Sequence, residues 1–415
     1  MEQSVENDAV MHQYRWLYVI LGNAVMMCLG TVYAWSVFRI PVEQTFGIGA
    51  TQSGLPYMVS LAFYALFMLF SGRYLDRYSP RKVMTLGAGL IALGWMLSAF
   101  APNIYVLTLT YGVISGAGVG IAYGVPLSVA AKWFPDKKGL AVGLVLVGFG
   151  LSPLVTAPLA RGLIELHGGM STFMILGVAF GVLIPILSLP FRYPESLGGA
   201  GAGAGAGVAS GPASSRQDNG QTRQPEEVVT AEMMKSPAFK GLYLNFLIGA
   251  MIGLMLIGMT GKVGVELVGL SSKSVALWMS VFAIFNGLGR PTFGWLTDRL
   301  SYRKAALLSY GLIAFAAILM TFAREGSALL FGASFSIFWF NLGGWLAIAP
   351  TSTLALFGAR SYSQNYGVLF TAYGIGAIVG VLGSGMLVDW VGDYHAVFYL
   401  VLALCAAGAW IAKKQ

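Results

Sequence analysis

"GRYLDRYSPRK", Gly72 to Lys82, and "GWLTDRLSYRK", Gly294 to Lys304, are one eleven-residue segment written twice. They agree at Gly, Asp, Arg, Ser, Arg and Lys under a constant offset of 222, which also carries "GLI" at Gly89 onto "GLI" at Gly311. Halves that superpose at a fixed offset mark a duplicated architecture. Each copy sits in a short charged gap between long apolar runs, so the duplicated unit is a set of membrane spans.

The composition agrees. Of 415 residues, 57% are hydrophobic and only 10% are charged, far from the usage of soluble domains. A spanning helix needs about 20 consecutive apolar residues. The sequence supplies twelve such runs: 16–38, 54–75, 83–101, 104–131, 139–163 and 170–191 in the first half, then 239–261, 274–296, 305–323, 327–349, 366–388 and 394–412. The first run is long enough to span and no small-residue cleavage site follows it, so it reads as a retained helix rather than a leader. The expected fold class is an all-α membrane protein with twelve transmembrane helices in two pseudo-symmetric bundles of six.

The net charge of +8 does not imply nucleic acid, because the basic residues alternate from loop to loop. With both termini cytoplasmic, nineteen of the 25 Lys and Arg residues face the cytoplasm, five (Arg39, Arg161, Lys262, Lys273 and Arg324) face outward, and one, Arg290, lies inside a span. That bias predicts both ends inside, and the expected location is the cell (inner) membrane. Cys28 and Cys405 both fall within spans, which argues against a disulfide framework.

Between the sixth and seventh runs, "SLGGAGAGAGAGVASGPASSRQDNGQTRQPEEVV" holds few large apolar residues and much Gly and Ser, the composition of a flexible linker. The expected organisation is a tail over 1–15, a six-helix bundle over 16–192, a cytoplasmic linker over 193–238 and a second bundle over 239–415. In the fourth run Gly112, Gly116, Gly120 and Gly124 recur every four residues along one helix face. No strand precedes "GAGVG", so this is a close-packing stripe and not a phosphate-binding loop.

Two six-helix repeats with a charged motif between their second and third helices describe parallel repeats. Gly72, Asp76, Arg77, Arg81 and Lys82 resemble the G-x-x-x-D-R-x-G-R-[RK] loop of the major facilitator superfamily, with Ser79 and Pro80 near the usual second Gly. The resemblance implies a cytoplasmic charge latch formed by Asp76, Arg77 and Arg81, and by Asp298, Arg299 and Arg303 in the second copy.

Arg290 is the anomaly. It stands eight residues before Asp298 in "NGLGRPTFGWLTDR", on the order of 12 Å deeper along a helix. An arginine at a helix centre is unfavourable by about 2.5–3.5 kcal/mol, so a partner or a wet cavity must offset it. Its repeat equivalent is Met68, so duplication alone does not require the cation. No acidic residue is expected at that depth: Asp76, Asp298 and Asp389 are expected near cytoplasmic helix ends, Glu165 and Glu266 near outer ones. Backbone carbonyls, or Asn286 one turn away, could satisfy the cation structurally. The alternative is an anionic cargo, and a guanidinium forks onto carboxylates. Tyr33, Tyr123 and Tyr373 stand at the depth of a central pocket, where each could line it or simply pack, and Tyr33 could instead belong to an interfacial aromatic belt.

A narrower resemblance runs over both bundles. "GAGVGIAYG", "KWFPDKKGLAVG", "NGLGRPTFGWLTDR" and "NYGVLFTAYG" resemble the oxalate:formate antiporters and monocarboxylate transporters. Trp133 and Asp136 depart from the fifth-helix motif of the wider family. The resemblance implies that Arg290 binds a substrate carboxylate and that Tyr33 and Tyr123 line the cavity. Where oxalate exchangers carry a second cation the chain has Tyr373, and Leu342 and Leu346 replace aromatic positions, which favours one carboxylate on a short tail: lactate, pyruvate, formate or glycolate. Asn286 replaces a titratable aspartate of the animal carriers.

The expected function is therefore a secondary active transporter of small monocarboxylates, by proton symport in the first reading and by anion exchange in the second. A carboxylate sensor or channel shares the fold but would not need two latches. His12, His167 and His395 are scattered with no nucleophile or metal cluster, so neither an enzyme nor a metal or cofactor is expected. The expected partners are a small carboxylate, a co-transported proton and the bilayer, with the chain acting as a monomer.

Overall fold

The computed structural model describes the backbone of residues 2–134, 138–194, 230–358 and 362–414, with side chains described except at 2–14, 71–74, 76, 77, 138–140, 362 and 363. Among these residues the chain is helical, with no strand. The linker residues 195–229 and the motif residue Asp136 lie outside the described residues.

Twelve long helices follow one another. In the first half they are α1 (Glu2–Leu29, the tighter turn Gly30–Ala34 and Trp35–Phe46), α2 (Leu55–Arg77), α3 (Pro80–Ser98), α4 (Ile104–Trp133), α5 (Lys138–His167) and α6 (Gly169–Ser188). In the second half they are α7 (Pro237–Lys262), α8 (Ser272–Leu300), α9 (Tyr302–Met320), α10 (Ala328–Phe357), α11 (Tyr362–Val391) and α12 (His395–Lys414). Ten are long and apolar enough to cross a membrane. The exceptions, α3 and α8, have the length, but α3 opens on Arg81 and Lys82 and α8 carries Lys273, Asn286, Arg290, Asp298 and Arg299.

Successive helices alternate direction, so the ends of α1, α2's start, the end of α7 and the end of α11 share the face opposite the chain termini. This overturns one expectation. Asp389 stands not with Asp76 and Asp298 but on that opposite face, at the far end of an α11 that starts from the terminal side. Its Oδ1 and Oδ2 accept from the backbone N–H groups of Ala50 and Thr51, both at 2.9 Å. A carboxylate there complements the positive end of the short helix Ala50–Ser53 that leads into α2.

The two bundles meet through α1 with α7, α2 with α11 and α5 with α8, while α3, α6, α9 and α12 pack outside them. Close backbone approach needs small residues. The stripe on α4 supplies it, since a Cβ on Gly116 would lie 2.6 Å from the Ser60 carbonyl and one on Gly120 would lie 2.5 Å from that of Tyr64, both on α2. On α8 and α10 the contact is reciprocal: Gly289 abuts the Phe340 carbonyl and Gly343 abuts the Asn286 carbonyl, each leaving only 2.0 Å for a Cβ. That contact sets how far Asn286 and Arg290 project toward the other bundle.

Candidate functional site

Helix α8 begins at a proper cap, Ser271 accepting from the N–H of Ser274, and runs unbroken through Pro291. Its buried side presents Phe282, Asn286, Arg290 and Phe293, so a polar pair interrupts an aromatic face. Asn286 is fully buried and Arg290 is 7% exposed. Both meet α5 across the bundle boundary, at the level of Leu146 to Leu151.

The guanidinium is only partly satisfied. Nη1 donates to the Leu146 carbonyl at 2.6 Å, whereas Nε and Nη2 are buried without a partner. No described carboxylate lies within ion-pair distance of it. The carbonyl of the structural alternative is thus present, but it takes one of the nitrogens that need an acceptor. Each unmet buried donor costs about 1–3 kcal/mol, more when the group is charged. Asn286 donates Nδ2 to the Trp339 carbonyl at 2.9 Å, and its Oδ1 is likewise buried without a partner.

Aromatic rings enclose this spot. Tyr123 and Tyr33 lie beside the guanidinium, Tyr123 near enough for a long hydrogen bond that falls outside ordinary geometry and Tyr33 near enough to feel the charge. Tyr33 on α1 and Tyr373 on α11 share a hydrogen bond of 2.7 Å between the bundles. Tyr33 is 1% exposed, a buried residue and not part of an interfacial belt. Tyr64 touches Tyr123 and Tyr373, at ring-centroid distances of 5.1 and 5.9 Å, and Phe149 packs edge-on against both Tyr33 and Tyr123. The fold therefore gathers Tyr33, Tyr123, Tyr373, Asn286 and Arg290 from α1, α4, α11 and α8. Leu342 points instead at α7, against Gly253.

Several contributors had little signal. Tyr64 stands at the depth of the other tyrosines in "SLAFYALF", and depth alone would have found it. The carbonyls of Leu146 and Trp339 belong to the backbone and leave no trace in residue identity.

A second polar cluster, wholly unanticipated, joins the bundles on the face opposite the termini. The first run was expected to end at 38, but α1 continues to Phe46, which places Arg39 and Glu43 on helix and buries Arg39 to 1% exposure. Arg39 was expected to be an outward loop residue. Its Nε donates to Ser53 Oγ at 3.1 Å, Nη1 to the Gly258 carbonyl of α7 at 3.1 Å, and Nη2 to the Ala50 carbonyl. Ser53 Oγ in turn donates to Glu43, whose carboxylate meets Lys262 of α7 at 2.8 Å. Lys262 also lies 3.5 Å from Glu266, which accepts from the Tyr394 hydroxyl at 2.7 Å. Cross-bundle ties at Glu43–Lys262, Arg39–Gly258 and Asp389–Thr51 close this face over the tyrosines.

The duplicated motif is in a different state. Arg81, Asp298, Arg299 and Arg303 are exposed, and Arg299 stacks over Trp295 with 5.0 Å from its guanidinium carbon to the ring centroid. The side chains of Asp76 and Arg77 lie outside the described residues. No group of three or more metal-ligating side chains occurs among the described residues.

Residues 19–345 and 244–413 match the Major Facilitator Superfamily. The chain is 28% identical over 369 residues to the oxalate:formate antiporter of Oxalobacter formigenes, covering 88% of this chain and 83% of that one. It is 26% identical over 403 residues to monocarboxylate transporter 12 of Homo sapiens, covering 92% and 75%. Among solved structures, a bacterial homologue of the human lysosomal transporter Spinster, inward-facing and unoccupied, superposes with a TM-score of 0.68 at 18% identity over 97% of this chain and 93% of the other.

Proposed function

The chain belongs to the major facilitator superfamily, as a multi-pass membrane transporter and not an enzyme, and from that premise we propose that it carries small monocarboxylates by alternating access, with Arg290 binding the carboxylate. The observation that carries this reading is the buried guanidinium of Arg290, two of whose nitrogens have no partner. A carboxylate supplies two acceptor oxygens in the geometry of a guanidinium edge and the negative charge the site lacks. Tyr123 and Tyr33 form the wall around it, with Asn286 on the same helix and Tyr373 joining the bundles.

In this mechanism the bundles rock about the central site. The duplicated motif, with Asp76, Arg77, Arg81, Asp298, Arg299 and Arg303, closes the face that carries both termini, which is the cytoplasmic face of a bacterial inner membrane. The Arg39, Glu43 and Lys262 network closes the other. With Arg81, Asp298, Arg299 and Arg303 exposed and the network formed, this conformation is the one shut on the face opposite the termini.

Coupling to a proton is the first reading. Anion exchange is the second, favoured by the likeness to an oxalate:formate antiporter and by Asn286, which cannot titrate where a proton-accepting acid would be useful. Purified protein in proteoliposomes tests both. An inward proton gradient should drive uptake of a labelled monocarboxylate into empty vesicles. Uptake that requires internal substrate instead identifies exchange, and no uptake of any monocarboxylate under either condition rejects the transport reading.

A further inference from the structure

On the face opposite the termini, one buried carboxylate carries the charged tie between the bundles. Glu43 of α1 is 14% exposed, and Lys262 of α7 meets both of its oxygens, Oε1 at 3.0 Å and Oε2 at 2.8 Å. Ser53 Oγ also lies on Oε1 and accepts in turn from Nε of Arg39, one turn before Glu43 on the same helix.

The two cations of the cluster need this carboxylate unequally. Arg39 places Nε, Nη1 and Nη2 on Ser53 Oγ and on the carbonyls of Gly258 and Ala50, all of them neutral acceptors. Lys262 meets two carboxylates, Glu43 and, at 3.5 Å along its own helix, the 43% exposed Glu266. A proton on Glu43 would leave Lys262, itself 7% exposed, beside Arg39 with Glu266 alone to balance the two. Breaking a buried pair at one partner strands the other. The cost falls on the shut form, since opening the face returns both side chains to water.

The neighbouring titratable groups lack that leverage. Asp389 of α11 ties the bundles through the amides of Ala50 and Thr51, so neutralising it strands no cation. Glu266 and Tyr394 bond each other within the second bundle, where His395 also joins Asp393 to the Ala323 carbonyl. On the end of α5 that packs beside Ile40, Arg161 pairs with Glu165 at 2.9 Å and His167 is exposed.

We propose that Glu43 is a proton-binding site that operates the outer gate: ionised, it holds Lys262 and the face stays shut; protonated, it lets the bundles part. This rests on the reading of the network as a gate and not on that of Arg290. The open form binds the proton more readily than the shut form, so external acid favours opening, by at most about tenfold in the open-to-shut ratio per pH unit for one proton. Asn286 cannot titrate, and Glu43 supplies a group on the transport path that can.

The test is a distance across this face. Spin labels on Gln44→Cys, near the end of α1, and Leu329→Cys, at the start of α10, both sit on exposed positions. They are attached once, before the pH is varied, to full-length protein with Cys28 and Cys405 changed to Ala, and read by double electron–electron resonance without substrate. Between about pH 8 and about pH 5 the longer-distance population is expected to rise at least about tenfold relative to the shorter one. Glu43→Gln should raise it at every pH and abolish the response. Lys262→Met should reverse the response, because the stranded charge is then Glu43 itself and a proton removes it, so that acid shuts the face. Distances that do not change with pH when Glu43 and Lys262 are both present overturn the proposal, and so does an acid response that survives in Glu43→Gln. That first comparison needs no change within the network, so it stands even where a variant folds poorly. A Lys262→Met distribution matching its parent's at about pH 8, where Glu43 is ionised, rejects the network as a gate altogether, which separates that failure from a wrong choice of residue.

Discussion

Replacing Lys262 by Met should open the face opposite the termini. Lys262 and Glu43 are 7% and 14% exposed and meet at 2.8 Å between bundles, so their pair is largely desolvated. Removing one member of a buried pair costs about 3–5 kcal/mol, because the survivor is left as an uncompensated charge. Glu43 would keep the Ser53 hydrogen bond and the nearby Arg39, which lowers the cost to about 2–3 kcal/mol. Opening this face would return Glu43 to water, so the penalty falls on the closed state alone. At about 1.4 kcal/mol per decade, the open state should gain roughly 30-fold to 150-fold. A suitable reporter is Ile40→Cys, beside Val37 and Gly261 at the bundle boundary, in a background with Cys28 and Cys405 changed to Ala. Alkylation by a membrane-impermeant maleimide should accelerate by that factor in Lys262→Met. Adding Glu43→Gln should return most of the way, since no buried charge is then stranded. Labelling of Lys262→Met at the wild-type rate would refute the reasoning.

Arg290→Lys retains the charge but loses the planar fork, and it should weaken monocarboxylate binding about tenfold to a hundredfold, measured by calorimetry; unchanged affinity would remove Arg290 from the site. Gly343→Ala would put a Cβ 2.0 Å from the Asn286 carbonyl and should lower the thermal midpoint in detergent by several degrees, whereas Gly311→Ala, with nothing within 4 Å, should not lower it. Ser301, between α8 and α9, has φ 81°, a conformation that favours glycine, while its repeat partner Ser79 has an ordinary φ of −64°. Ser301→Gly should therefore relieve about 1 kcal/mol and raise the midpoint by about 1–2 °C, with Ser79→Gly giving no such gain.

Much was legible before any coordinates. The offset of 222, the twelve apolar runs and the isolation of Arg290 depend on period, length and charge, which are local properties of a chain. Even the glycine stripe on α4 declared a close-packing face. Where the reading failed, the cause was non-local. The first run looked complete at residue 38 because Arg39 and Glu43 are charged, yet both continue the helix because partners 219 residues away receive them. Asp389 is a failure of another kind: the order of the twelve runs, with both termini inside, already carries the end of the eleventh to the outer face, and the expectation did not follow that order.

The sequence by itself determined that this is a duplicated helical membrane protein with a cation, Arg290, deep in a span and no acid expected at its depth. Only the tertiary structure decided which nitrogens of that cation are free, because the competitor for them is the Leu146 carbonyl, an atom every residue type possesses. It likewise decided that Asn286 presents its oxygen and not its nitrogen, through the Trp339 carbonyl. Backbone groups carry no signature in residue identity. Their influence on a site begins only when helices from distant parts of the chain bring them within hydrogen-bond reach.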